Sequence, residues 1–142
     1  MSALLNQRAR ISRVRRIQHG LAASRAAEAA GRVQMLESNV ERLSRIRGEL
    51  RPASGETSGA ALARMGELAM RLDQARFGLA PTVENARAVA ATRENERRGA
   101  RRDQESAEKL ERAALTLAEA AAERRLGVGR RPQPRLTEGE QE

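Results

Sequence analysis

Arg51-Pro52-Ala53-Ser54-Gly55-Glu56-Thr57 is the one clear break in a chain that otherwise favours helix from Ala3 to Arg125. Pro52 lacks an amide donor and forces Arg51 out of helical geometry. Gly55 and Gly59 loosen the backbone, and Thr57 or Ser58 is placed to cap a new helix. On either side stand Ala, Arg, Glu and Leu, all strong helix formers. The expected fold is therefore all-α: an antiparallel two-helix coiled-coil hairpin whose second helix is the longer. Its parts are a first helix within 1–51, a turn at 52–57, a second helix over 58–125 and a flexible basic/acidic tail at 126–142. The tail follows from Gly127-Val128-Gly129-Arg130-Arg131-Pro132-Gln133-Pro134, which does not sustain a helix and points to disorder.

Hydrophobic spacing supports the hairpin. From Ala22, steps of four and three give Ala22, Ala26, Ala29, Val33, Leu36, Val40, Leu43, Arg47 and Leu50, the heptad spacing of a helix facing a partner. Ile11, Val14, Ile17 and Leu21 precede it as a second apolar face, slightly out of phase. In the second helix the expected seam is Leu62, Met65, Leu68, Leu72, Ala75 and Leu79. It weakens through Ala86, Val89, Arg93 and Ala100 and recovers at Ala107, Leu110, Ala114, Leu117 and Ala121. Pro81 is expected to kink this helix, a full break at Ala80-Pro81-Thr82 being the alternative. A tight turn sets Leu50 opposite Gly59, so facing positions add to about 109, within a heptad. That register puts Arg13 near Glu96 and leaves the second helix without a partner from about Ser106.

Composition narrows the class. The chain has 142 residues, one aromatic (Phe77), no cysteine and a net charge of +8. Few bulky apolar side chains are available for a compact core, and the mean hydropathy is −0.67. No disulfide or thiolate metal site is available. No apolar run approaches the roughly 20 residues of a membrane span, and no signal-peptide core follows the N-terminus.

Catalytic readings find no support. His19 stands alone, without neighbouring ligands. Gly127-Val128-Gly129 lacks the strand and helix of a phosphate loop. Glu94 and Glu96, like Asp103 and Glu105, are two apart and point to different helix faces. The chain is expected to be no enzyme and to use no metal or cofactor.

Two surfaces remain. The register gathers Arg8, Arg10, Arg13, Arg15 and Arg16 beside Arg93, Arg97, Arg98, Arg101 and Arg102, a basic open end suited to an acidic partner. Met70 and Phe77, one heptad apart on the face away from the seam, form an exposed apolar contact. A basic helical nucleic-acid-binding protein is one alternative, and a generic self-assembling coiled coil is another. The lack of aromatics for base stacking argues against nucleic acid.

From Ile11 to Arg125 the chain resembles FliJ, a component of the flagellar type III export apparatus, and its injectisome relative YscO. The resemblance rests on Ile11-Ser12-Arg13-Val14-Arg15-Arg16-Ile17, the heptad helix to Leu50, the break at Gly55-Glu56-Thr57-Ser58 and the longer second helix. It implies a stalk-like coiled coil that inserts its open end into the hexameric export ATPase. It also implies contact with the export-gate membrane protein and recycling of export chaperones. By the alignment at the break, the gate contact falls on Leu68, Leu72, Ala75 and Leu79. The implied location is cytoplasmic, held peripherally at the inner membrane through the export apparatus.

Overall fold

The computed structural model describes residues 3–51, 55 and 58–129. Two helices account for nearly all of them: α1, Ala3–Glu49, and α2, Gly59–Val128. They pack against each other in antiparallel sense, as the sequence predicts. Gly55, in the break, has φ +147°, a conformation that side chains with a Cβ rarely adopt. Pro52, Ala53, Ser54, Glu56 and Thr57 lie outside the described residues, as does the expected tail from 130 onward.

Ser58 caps α2. Its hydroxyl accepts a hydrogen bond from the Ala61 amide at 3.2 Å, satisfying one of the donors that a helix start leaves free. Ser58→Ala is expected to cost about 1 kcal/mol, read as a lower thermal midpoint with unchanged helicity at low temperature. Equal midpoints would show that the cap contributes nothing. At the other end α2 runs through Gly127 to Val128, three residues beyond the expected stop. Pro81 does not break it; the helix continues on both sides.

The contacts divide into two units, Ile17–Arg101 and Met1–Arg16 with Arg102–Glu142. In the larger unit Leu36, Val83 and Ala86 are buried together, with Val33, Val40 and Leu79 packed on them. The α1 seam from Ala22 to Leu50 is buried or half-buried at every expected position. In α2, Met65, Leu72, Leu79, Ala86, Arg93 and Ala100 face inward as expected. Their companions differ. Ala69, Arg76, Val83, Ala90 and Arg97 turn inward, while Leu62, Leu68, Ala75 and Val89 are exposed. One rotation of α2 must serve every turn. The rotation that places Val83 against Leu36 carries the line of Leu68, Ala75, Thr82 and Val89 to the flank, since Thr82 offers a poorer filling at the core. The apolar face at Ile17 and Leu21 is exposed as well, at 65% and 55%.

The register also departs from the tight turn. Arg47 bonds Asp73 at 3.3 Å and Arg87 bonds Glu37 at 2.8 Å, so facing positions add to 120 and 124 and not to about 109. Roughly the first dozen residues of α2 therefore run past the last turn of α1. The segment between Glu49 and Gly59 allows this, because nine residues reach up to about 30 Å when extended.

In the smaller unit Ser12, Ala107 and Ala114 are buried. Leu5, Arg8 and Arg15 are half-buried beside Ser12, facing Gln104, Glu111, Ala118 and Ala121. Ion pairs from Arg15 to Asp103 and from Arg16 to Glu108, both 3.5 Å, join the helices. The stretch of α2 from Ser106 is therefore not unpartnered; the first turns of α1 lie along it. Leu110 and Leu117, expected in the seam, are 48% and 61% exposed. Ile11 and Val14 are exposed too.

Candidate functional site

The arginines expected at the open end fall into two groups with different electrostatics. In the larger unit Arg93, Arg97 and Arg98 are matched by acids of their own helix. Arg93 bonds Glu96 at 3.0 Å. Arg97 donates through Nε and Nη2 to both oxygens of Glu94, at 2.8 and 2.7 Å. Arg98 adds a third bond to Glu94 at 3.3 Å. Such three- and four-residue spacings bring side chains together on one helix face. These arginines present little unbalanced charge.

Glu94 records that environment. Hydrogen bonding to Arg97 outweighs its partial desolvation and, with the charge of Arg97 and the bond from Arg98, lowers its pKa to about 2. A carboxyl held lower in the folded chain than in the unfolded one stabilises the fold wherever the unfolded group is already ionised. That contribution is complete above about pH 4.5 and is lost as pH falls towards 2. Glu108 shifts the same way, through Gln104 first and Arg16 after it. The thermal midpoint is thus expected to fall on acidification across this window, and Glu94→Gln to remove part of the slope. A flat profile, or one that Glu94→Gln leaves unchanged, would contradict the pairing.

The α1 arginines are differently placed. α1 carries no acid before Glu28. Arg15 and Arg16 are bound to Asp103 and Glu108, whereas Arg8, Arg10 and Arg13 have no ion pair among the described residues. Arg102 is exposed and likewise unpaired, and Arg101 is exposed in the larger unit. The cross-helix acids Asp103 and Glu108 bound the first arginines, in place of the arginines 93–98 that the tight register set there. Sequence spacing missed the polar seam beneath them. Ser12, 1% exposed, has an Oγ without a hydrogen-bond partner. No hydrophobic pattern marks such a position.

The expected gate contact splits. Leu72 and Leu79 are half-buried in the seam, and Leu79 packs on the core. Leu68, at 44%, and Ala75 are exposed. Met70 and Phe77 are exposed as the sequence reading has them, at 61% and 77%. His19 is half-buried with its Nε2 unpartnered.

Among the described residues no cluster of three or more potential ligands could hold a metal ion. No described helix is long and apolar enough to cross a membrane. The surface hollows are open grooves; one of about 620 Å³ is lined by Arg25, Arg32, Met35, Val89 and Arg93 among others. Comparison of the chain with protein-family models, curated proteins and solved structures found no match.

Proposed function

We propose that this chain is a non-catalytic, stalk-like component of a flagellar type III protein export apparatus. In this reading Arg8, Arg10 and Arg13 engage the hexameric export ATPase, with Arg15, Arg16 and Arg102 nearby in the same unit. Arg93, Arg97, Arg98 and Arg101 take a lesser part, the first three being matched by acids of their own helix. The observation that carries the reading is the acid-free, arginine-rich opening of α1, three of whose guanidinium groups have no ion pair among the described residues, on an antiparallel hairpin with a longer second helix. Like charges held close gain most from an acidic surface.

Contact with the export-gate membrane protein falls to early α2. Leu68 and Ala75 are the accessible half of the aligned set, and Met70 and Phe77 add apolar area on another face. Recycling of export chaperones belongs to the same reading, as does a cytoplasmic protein held peripherally at the inner membrane.

The test is binding to a purified hexameric export ATPase at low salt, followed by ATPase activity. Binding and stimulation that Arg8→Glu with Arg10→Glu and Arg13→Glu abolishes is the expected result. No binding, with tight and steeply salt-dependent association to DNA or RNA, would replace the reading with a nucleic-acid one. Concentration-dependent sedimentation without ATPase binding would favour self-assembly.

A further inference from the structure

The smaller unit carries its large apolar side chains in an unusual place. Its seam holds Arg8, Ser12 and Arg15, while Leu4, Ile11 and Val14 of α1 and Leu110 and Leu117 of α2 are 36–61% exposed. Leu4 and Ile11 are one heptad apart, immediately beside the seam position Ser12. Leu110 and Leu117 are one heptad apart, beside Glu111 and Ala118. The ion pairs show that both lines lie on the same side. Arg16 leaves the opposite flank of α1 to meet Glu108 on the opposite flank of α2. Asp103, a heptad before Leu110 on its own line, reaches Arg15. The spacing of these pairs sets Ile11 level with Leu110 and Leu4 level with Leu117.

The result is a second apolar stripe, parallel to the polar seam and shared by two antiparallel helices. Its outer borders are cationic: Arg10 next to Val14 on α1, and Arg102 and Lys109 next to Leu110 on α2. None of the three has an ion pair among the described residues, and all are exposed. An exposed apolar stripe shared by two helices offers an amphipathic helix a face to pack on, and the sign of its borders selects an acidic one. A second copy would set arginine borders against each other. A lipid surface suits an amphipathic helix with interfacial aromatics, and this face has none.

We infer that the side of the smaller unit built from Leu4, Ile11, Val14, Leu110 and Leu117 docks an amphipathic helix with acidic flanks. The inference rests on this face alone and stands whether or not the chain serves protein export.

The experiment uses the full chain and a designed helical peptide with leucine at the two seam positions of each heptad and glutamate on the flanks. A scrambled peptide of equal composition is the control. Titration by fluorescence anisotropy should show binding of the designed peptide only. Ile11→Glu with Leu117→Glu should weaken it at least tenfold, and Arg10→Glu with Lys109→Glu should weaken it and flatten its salt dependence. Circular dichroism checks that the helices persist. If a variant loses helicity, photo-crosslinking from the peptide to the unaltered chain decides, with adducts expected near Leu4, Ile11, Leu110 and Leu117. Equal binding of both peptides, or adducts confined to the Leu115 flank, overturns the inference. So does an unaltered chain that sediments as a dimer through this face, or one that binds anionic phosphatidylglycerol vesicles but not the peptide.

Discussion

Leu36→Ala is expected to lower stability by roughly 2–5 kcal/mol, the range for truncating a buried leucine. Leu36 is 8% exposed and touches Val83 and Ala86, with Val33, Val40 and Leu79 around it. No other group of described residues joins as many large aliphatic side chains, because alanine fills much of the remaining seam. With total stabilities of about 5–15 kcal/mol usual for whole domains, such a loss takes up much of what holds the larger unit together. Two alanines and a valine cannot close over the space left by the missing atoms. Denaturation followed by circular dichroism gives the measurement, with Met35→Ala as control. Met35 is the adjacent residue, 58% exposed, and its truncation should change stability by less than about 0.5 kcal/mol. Similar losses at both positions would mean that the Leu36 cluster is not the core.

Pro81→Ala is expected to act in the opposite direction. Pro81 lies inside α2, exposed, with unbroken helix on either side. Its ring removes the amide that would bond the Phe77 carbonyl and crowds that carbonyl, at about 3 kcal/mol relative to alanine in a helix interior. Proline returns about 0.4–1 kcal/mol by restricting the unfolded chain, so the net gain from alanine is roughly 2 kcal/mol. The thermal midpoint should rise by several degrees. An unchanged or lower midpoint would show that the helix bears no such strain at Pro81. Because Pro81 is exposed and off the seam, the substitution leaves the packing of Leu36 intact and isolates the backbone effect.

The two effects differ in how far they are legible in the sequence. The cost at Pro81 is local, and proline chemistry alone foretells it. The helices themselves are legible for the same reason: propensity, the cluster at Pro52 to Thr57 and the capping serine act over a few residues. The α1 seam from Ala22 to Leu50 is legible too, since its apolar residues keep a single heptad phase. Met70 and Phe77 stand far enough from every candidate seam to be exposed under either rotation of α2.

Other features require the partner helix. Leu68 and Ala69, or Val89 and Ala90, are neighbours that satisfy a heptad equally well. Only the contact of Val83 with Leu36 selects the rotation that buries the alanines. The polar seam around Ser12 is hidden for a related reason. Ile11 and Val14 look like a better stripe, yet the smaller unit buries Ser12 with Ala107 and Ala114, small side chains that no apolar periodicity singles out. Arg47 against Asp73 and Glu37 against Arg87 reveal a register that the break could not supply, because its reach exceeds that of a tight turn.

The secondary structure, the antiparallel pairing and the surplus of arginine at the start of α1 follow from the amino-acid order alone. Which arginines are neutralised and which leucines remain outside depends on how the two helices meet. The difference is one of range. Helix formation and termination depend on neighbours within a turn or two, whereas rotation and register are single choices made for a whole helix. They are set by the partner helix, whose facing residues lie far away in the chain.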